Sequence, residues 1–315
     1  TIIESVYGYN IWEWLFMPTD DLVIRNRSPR YDVLYRAAGP TRHPIFLGVI
    51  FTLILPWAFP FIFRQGRYKT TFFGVVVFMF LFIGIVFTVS RGPLFGLIIA
   101  VVSSICIRWP RCIKYIALVG VFAAGNIVLY WPQFIELIES TESTSQRSSV
   151  ITLGEDNITY SGTRNRILVW DIYLPLVGKG GAIGFGTEAV STFPPNIPGL
   201  PASAKARDIL GIVDNSYLLT GLRFGWIGLS LFLLLIFGSI VTAIRLRRSA
   251  GMILYPDGPA FLTALASCLI GVSFVMLTVF SSFDFMFWVY FHCGVVAGLA
   301  SLRDSMLKAD TYVAS

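Results

Sequence analysis

The chain has 315 residues, of which 55% are hydrophobic and only 13% carry a charged side chain. A soluble domain has about twice that share of charged residues, so the composition excludes an ordinary soluble protein and is typical of a multi-pass membrane protein. The formal net charge of +6 would suggest nucleic acid as the partner of a soluble protein, but here the basic residues flank apolar runs, so no nucleic-acid partner is expected.

Residues 1–44 precede the first long apolar run. They include the aromatic stretch YGYNIWEWLFM at residues 7–17, which is too short and too mixed to cross a bilayer and is expected to lie at the membrane surface. The chain begins with neither an initiator methionine nor a recognisable signal peptide. We therefore expect that upstream residues are missing and that they contribute further spans.

Seven apolar runs are long enough, or nearly so, for the roughly 20 residues that a bilayer core requires. The third is short and the fifth is long, so tilt or mismatch is expected there. The runs cover residues 45–63, 72–89, 93–107, 115–131, 217–244, 260–280 and 285–302.

The predicted fold class is all-α, a polytopic membrane helical bundle of about seven spans. Four transmembrane helices lie within residues 45–131 and three within residues 216–302. Residues 132–215 form one long loop that contains helices, and residues 303–315 form a tail.

Basic clusters follow the first, third, fifth and seventh spans, and strict alternation places all four on one side. The positive-inside rule makes this side the cytoplasm. The segment 1–44, the turn at 90–92, the long loop and the turn at 281–284 are then extracytoplasmic. The clusters are Arg64, Arg67 and Lys69; Arg108, Arg111 and Lys114; Arg245, Arg247 and Arg248; and Arg303 with Lys308.

Three arginines are predicted on the extracytoplasmic face, where topology does not require them. Arg91 lies in TVSRGPLFG at the mouth of two spans, before a glycine and a proline that suit a tight turn and a helix start. Arg164 and Arg166 occupy the first turn of a helix predicted over residues 164–177, where positive charge opposes the helix dipole. An anionic partner would explain them. Snorkelling to lipid headgroups is the alternative for Arg91.

The glycine run GKGGAIGFG at residues 178–186 could form a backbone nest for phosphate. No strand precedes it and no GxxxxGK[ST] pattern is present, so a nucleotide P-loop is excluded. The four cysteines lie within or beside spans and have neither disulfide nor metal-ligand spacing.

The stretch DNSYLLTGLRFGWIG opens the fifth span. Asp214 and Asn215 lie at its extracytoplasmic mouth, where either could cap the helix. Arg223 lies about 13 Å further in at 1.5 Å per residue, and unless it snorkels it should face protein or a water-filled cavity. Gly225 and Gly228 permit close helix contact, although their spacing is not that of GxxxG.

Four pieces in this order resemble the bacterial O-antigen ligases and the related O-antigen and exopolysaccharide polymerases. The pieces are GPTRHPIFLG at 39–48, SRGPLFGL at 90–97, the loop from Arg166 through the glycine run, and Asp214–Asn215 followed, after nine intervening residues, by Gly225 and then Gly228. The ligase signature begins with histidine where this chain has Asp214, which favours a polymerase. The resemblance covers residues 39–236.

The resemblance implies a glycosyltransferase of the all-helical class C fold in the bacterial cytoplasmic (inner) membrane. Its donor would be a polyprenyl-pyrophosphate-linked oligosaccharide, and a glycan acceptor would attack it at an extracytoplasmic active site. A leaving diphosphate needs fixed positive charge, which Arg91, Arg164 and Arg166 could supply. No acidic metal cluster lies nearby in the sequence, so we expect no metal and no cofactor.

Asp214 is the candidate base for the acceptor hydroxyl, with Asn215 orienting it or binding sugar. Arg42 and His43 precede the first span on the same predicted face and are candidate substrate-binding residues. His43 titrates near neutrality, but it could instead shape the turn before Pro44.

Two other functions stay open. An O-antigen or protein glycan ligase would differ mainly in its acceptor. A transporter or flippase of lipid-linked sugars usually shows internal repeats and ionisable groups at mid-membrane, whereas here the ionisable residues cluster at the predicted outer mouth. His292 and Asn126 are the main polar residues within spans and are expected to join helices. Besides donor, acceptor and membrane lipid, chain-length regulators or export proteins are candidate partners.

Overall fold

The computed structural model describes residues 1–8, 10, 12, 35–41, 43–62, 68–130, 149–153, 156–160, 162–191, 213–247 and 258–314. Two compact units divide the chain. The first unit contains Thr1–Pro110, Leu233–Val275 and Ser282–Ser315, and the second contains Arg111–Phe232 and Met276–Ser281.

Helices dominate both units. In chain order the elements are α1 (Ile2–Tyr7), α2 (Pro44–Ile62), α3 (Tyr68–Phe87), α4 (Arg91–Arg108), α5 (Ile113–Leu129), β1 (Ser149–Leu153), β2 (Asp156–Tyr160), α6 (Gly162–Gly180), α7 (Thr187–Ser191), α8 (Ser216–Leu246), α9 (Gly258–Val275) and α10 (Phe283–Ala314). The two strands pair antiparallel as a hairpin, with Ser149 opposite Tyr160.

Six helices in the described part of the chain are long and apolar enough to cross a membrane: α2, α3, α4, α8, α9 and α10. The predicted span at residues 115–131 forms α5, which has 17 residues and is therefore about 25 Å long, short of a hydrocarbon core of about 30 Å. Large apolar side chains such as Phe72 and Phe80 of α3 are exposed, as lipid-facing residues are. The chain is thus a multi-pass helical membrane protein, as its composition predicts.

A glycine-lined crossing joins α4 to α9 in the first unit. A Cβ on Gly96 would collide with Val275 Cγ2, and one on Gly271 would lie 2.7 Å from the Gly96 carbonyl oxygen. The Ser104 and Ser267 hydroxyls meet across the same pair at 2.8 Å. Small residues let two membrane helices pack backbone to backbone, and hydroxyls then bond across the contact.

His292 of α10 joins two helices, as expected for a polar residue within a span. Its Nε2 accepts a hydrogen bond from Trp57 Nε1 of α2 at 3.1 Å, and its Nδ1 lies 2.6 Å from the Trp288 carbonyl oxygen. Both ring nitrogens are therefore engaged. Asn126 differs from the prediction, because its amide donates to the Phe122 carbonyl of its own helix at 2.7 Å.

In the second unit, α6 packs along the first turns of α8. A Cβ on Gly221 would lie 2.9 Å from Val177 Cγ1, and Val169 and Tyr173 share one buried cluster with Val213 and Leu218. The contact at Gly221 places the last turns of α6 beside the first turns of α8. Burial raises the pKa of the Tyr173 phenol.

The sixth predicted span ends earlier than residue 280. Helix α9 stops at Val275, and residues 276–281 belong to the second unit. Their carbonyl groups bind the start of α8, since Met276 O accepts from Ser216 N at 2.9 Å and Val279 O accepts from Ser216 Oγ at 2.7 Å. The apolar sequence alone does not indicate where backbone groups stop bonding within the helix and bond to another segment instead.

Candidate functional site

A strained turn presents Arg91 in the first unit. Val89 has φ of 48°, which is unfavourable for a β-branched residue. The turn is fixed by Thr88 Oγ1, which donates to Ile85 O at 2.7 Å, and by Ser90 Oγ, which donates to Thr88 O at 3.0 Å. Ser90 is the N-cap residue of α4, so Arg91 is the first residue of the helix rather than part of a turn at residues 90–92. Its side chain is exposed.

Arg36 braces this turn, although sequence reasoning did not single it out. Its Nη2 donates to Ser90 Oγ at 3.0 Å and its Nε to Thr88 O at 3.4 Å. The neighbouring Ala37 N donates to Phe87 O at 3.1 Å. The half-buried guanidinium therefore holds the residue that immediately precedes Arg91. The only sequence signal was an arginine on the predicted outer side, ahead of the GPTRHP stretch.

Glu4 secures the segment that carries Arg36. Its carboxylate is 4% exposed and accepts hydrogen bonds from Ala38 N and Gly39 N, both at 2.9 Å. Asn10 Nδ2 donates to the Gly39 carbonyl at 2.9 Å. A buried carboxylate with two amide donors stabilises its surroundings through charge-assisted bonds. The amino-terminal residues thus contribute to the arrangement around Arg91.

His43 caps α2. Its Nδ1 accepts from Ile45 N at 3.2 Å, and its backbone is extended, with φ of −150° and ψ of 141°. His43 therefore shapes the turn before Pro44, which was the alternative role expected for it from the sequence. The ring is exposed, and a contact between His43 and a substrate stays a prediction. Arg42 lies outside the described residues.

Asn215, and not Asp214, provides the N-cap of α8. Its Oδ1 accepts from Tyr217 N and Leu218 N, both at 2.9 Å, and its Nδ2 donates to Leu277 O at 2.9 Å. The residue is completely buried. One side chain is enough to cap a helix, so the cap does not require the carboxylate of Asp214. Asp214 is half-buried at the same end of α8. A part for Asn215 in sugar binding stays a prediction.

Helix α8 is broken at Gly225, where φ is 64° and ψ is −163°. The loop after α6 fills the break with backbone hydrogen bonds. Trp226 N and Ile227 N donate to the carbonyls of Gly181 and Ala182 at 3.0 and 3.1 Å. In return, the carbonyls at positions 222 and 223 accept from the amides of residues 185 and 186 at 2.7 and 3.1 Å.

We call these paired hydrogen bonds between the loop after α6 and the break in α8 the interlock. It explains why glycine is required at Gly184 in the glycine run and at Gly225 in α8. A backbone with positive φ and ψ near 180° is essentially restricted to glycine, and a Cβ on Gly225 would also collide with the Ala182 carbonyl. A Cβ on Gly184 would lie 2.5 Å from Gly225 N. The glycine run therefore closes the helix break, and its amides at residues 185 and 186 are engaged within the protein rather than free to form a phosphate nest.

Arg223 lies two residues before the break. Its side chain is half-buried, and its Nε is buried without a hydrogen-bond partner among the residues that the structure describes. From the sequence we expected Arg223 to face protein or a water-filled cavity rather than lipid. The burial of its Nε atom agrees with this expectation.

Arg164 and Arg166 lie in the first two turns of α6, and the structure describes their backbone. Within the described ranges, no group of His, Cys, Asp or Glu could hold a metal ion.

A family model described as O-antigen ligase matches residues 75–233, which is just over half of the chain. The matched region includes Arg91, Arg166, Asp214 and Gly225. None of the curated proteins matches the chain.

Proposed function

Because this chain belongs to the O-antigen ligase family, a family of membrane glycan ligases and polymerases, we propose that it is a bacterial polysaccharide polymerase. It would transfer a glycan from a polyprenyl-pyrophosphate-linked donor to a sugar acceptor on the outer face of the cytoplasmic membrane. The observation that carries the proposal is the extent of the family match, because residues 75–233 include all three candidate catalytic residues, Arg91, Arg166 and Asp214.

The proposed reaction is a displacement at the anomeric carbon of the donor sugar. The acceptor oxygen forms a new bond to this carbon, the bond to the diphosphate oxygen breaks, and the diphosphate leaves with the electron pair. Asp214 accepts the hydroxyl proton. Arg91, Arg164 and Arg166 stabilise the charge that develops on the diphosphate, as a divalent ion does in other transferases. Arg42 and His43 contribute to substrate binding, and Asn215, which is buried, orients Asp214.

Polymerase and ligase activities can be separated by their acceptors. The aspartate at position 214, in place of the ligase histidine, favours the polymerase, whereas the family description favours the ligase. We would express the chain in two bacterial strains, one lacking its polymerase and one lacking its ligase, each supplying the matching repeat unit. A polymerase restores long carrier-linked glycan in the first strain. Restoration of glycan on the lipid A core in the second strain alone would contradict the proposal.

Substitution of Asp214 by asparagine should lower the transfer rate by about a hundredfold or more, since general base catalysis typically contributes 10²–10⁴. The helix cap should stay intact, because Asn215 provides it. The matched control is Asn215→Ala, which should cost about 1 kcal/mol of stability. Both quantities are measured on protein purified in detergent. A fully active Asp214→Asn variant would reduce Asp214 to a structural residue.

Arg36 is proposed as a positioning residue for Arg91. Substitution by glutamine should lower kcat by about tenfold or more, since hydrogen bonds from a charged donor contribute about 1.5–3 kcal/mol. Ser90→Ala removes the acceptor of the shorter bond, so the kcat losses of the two variants should be less than additive in the double variant. Strictly additive losses, or an unchanged kcat in both single variants, would exclude a positioning role.

A further inference from the structure

Arg223 is one of three arginines, with Arg108 and Arg247, whose Nε atom is buried and makes no hydrogen bond to the described residues. It lies seven residues into α8, so its Cα is about 10 Å from the start of the helix. The other two have a further contact, since Arg247 donates through Nη1 to the Ile107 carbonyl at 2.8 Å and the Arg108 guanidinium lies 5.2 Å from the centre of the Trp109 ring. Arg223 Nε is buried and has no acceptor within the described part of the chain.

A guanidinium in this position requires a partner. Taking a cation out of water is costly unless hydrogen bonds and opposite charge compensate it. Ionisable residues within spans generally mark substrate pathways for this reason. A bound anion that accepts from the guanidinium would supply both the charge and the hydrogen bonds.

The backbone holds Arg223 in a fixed place. Its carbonyl accepts from Gly186 N at 3.1 Å, and the Leu222 carbonyl accepts from Phe185 N at 2.7 Å. Gly225 follows two residues later, where the interlock with the glycine loop fixes the break in α8. The side chain therefore starts from an ordered segment at the junction of two helical pieces, which reduces the entropic cost of binding a ligand.

Large apolar side chains follow Arg223 in the sequence of α8. The side chains of Phe224, Trp226 and Ile227 on the same helix are 49%, 46% and 56% exposed. Such a surface in a membrane helix contacts hydrocarbon chains. An anion attached to a lipid chain would fit both features, and a phosphate group on an apolar chain is such an amphiphile.

We infer that Arg223 binds a phosphate of the prenyl diphosphate carrier, while Phe224, Trp226 and Ile227 contact its prenyl chain. The inference rests on the proposed function, which makes this carrier the donor. An outer-leaflet phospholipid presents the same chemistry of a phosphate on an apolar chain, so the two sources must be compared directly.

The test measures the affinity of purified protein in detergent for undecaprenyl diphosphate and, separately, for phosphatidylglycerol. Wild type is compared with Arg223→Gln, Arg223→Lys and the control Arg245→Gln, which removes an exposed arginine at the other end of α8. Arg223→Gln should weaken diphosphate binding by about tenfold to hundredfold, with an intermediate loss for Arg223→Lys and none for the control. Phosphatidylglycerol binding should not change.

Stability provides a second measurement. Without ligand, Arg223→Gln should unfold at the same temperature as wild type or higher, because it removes a buried charge that the protein does not pair. Undecaprenyl diphosphate should raise the unfolding temperature of wild type more than that of the variant. A lower unfolding temperature of the ligand-free variant would show that the protein itself compensates Arg223, and would overturn the inference.

Three other outcomes would also overturn it. If Arg223→Gln binds the diphosphate as tightly as wild type, the inference fails and the proposed function stands. If the variant loses affinity for phosphatidylglycerol as much as for the diphosphate, Arg223 binds phospholipid headgroups in general. If wild type binds no prenyl diphosphate, the proposed donor itself is wrong, and the inference fails with it.

Discussion

Substitution of Arg91 by alanine is expected to reduce glycan transfer by at least about a hundredfold. Loss of one preorganised donor to developing charge typically lowers kcat by 10²–10³. Arg91 is exposed at the first position of α4, so its removal creates no cavity. The variant should therefore still fold and reach the membrane, and the loss should be in kcat.

Lysine is the informative second substitution at position 91. It keeps the charge but cannot form the two parallel bonds of a guanidinium to a phosphate, so the Arg91→Lys rate should lie between those of wild type and alanine. Arg111→Ala is the control, because Arg111 is exposed and lies in a basic cluster on the predicted cytoplasmic side. If Arg91→Ala transferred glycan as fast as Arg111→Ala, positive charge at position 91 would have no part in catalysis.

Substitution of Gly225 by alanine is expected to have the largest effect on the structure around the candidate site. The residue has φ of 64° and ψ of −163°, a conformation that costs a non-glycine residue about 1–3 kcal/mol. The added Cβ would also collide with the Ala182 carbonyl. Both effects disrupt the interlock, so the variant should unfold several degrees earlier than wild type and lose transfer activity.

Gly238→Ala is the matched control for this prediction. Gly238 lies in the same helix, and nothing lies within 4 Å of a Cβ added there. Alanine is the better helix former by about 1 kcal/mol, so this variant should be as stable as wild type or slightly more so. Equal unfolding temperatures for the Gly225→Ala and Gly238→Ala proteins would be incompatible with an interlock at the break.

Local features of the site were accessible from the sequence. Apolar runs predicted the spans, and the DN pair before the fifth run indicated a helix start. Which of Asp214 and Asn215 is the N-cap could not be predicted from the sequence. The outcome depends on Leu277, which lies 62 positions away and whose carbonyl accepts a hydrogen bond from the Asn215 amide. Both residues are good N-caps by chemistry alone.

Features that depend on contacts distant in sequence were not predictable. Gly225 could be recognised as a motif glycine from the sequence. The need for glycine there comes from a loop about 40 residues earlier in the chain, which occupies the break in the helix. Arg36 and Glu4 escaped notice for the same reason, since Arg36 bonds Ser90 across 54 positions and Glu4 bonds Ala38 across 34. Hydrophobic periodicity does not register such bonds.

The central claim is tested most directly by reconstituting the purified protein in lipid vesicles with a polyprenyl-diphosphate-linked oligosaccharide and excess chelator. The free polyprenyl diphosphate released and the length of the glycan are then measured together. Wild type should release one carrier for each repeat added, while Arg91→Ala and Arg166→Ala should release almost none. Donor that crosses the bilayer without being cleaved, or undiminished release by both variants, would contradict the account.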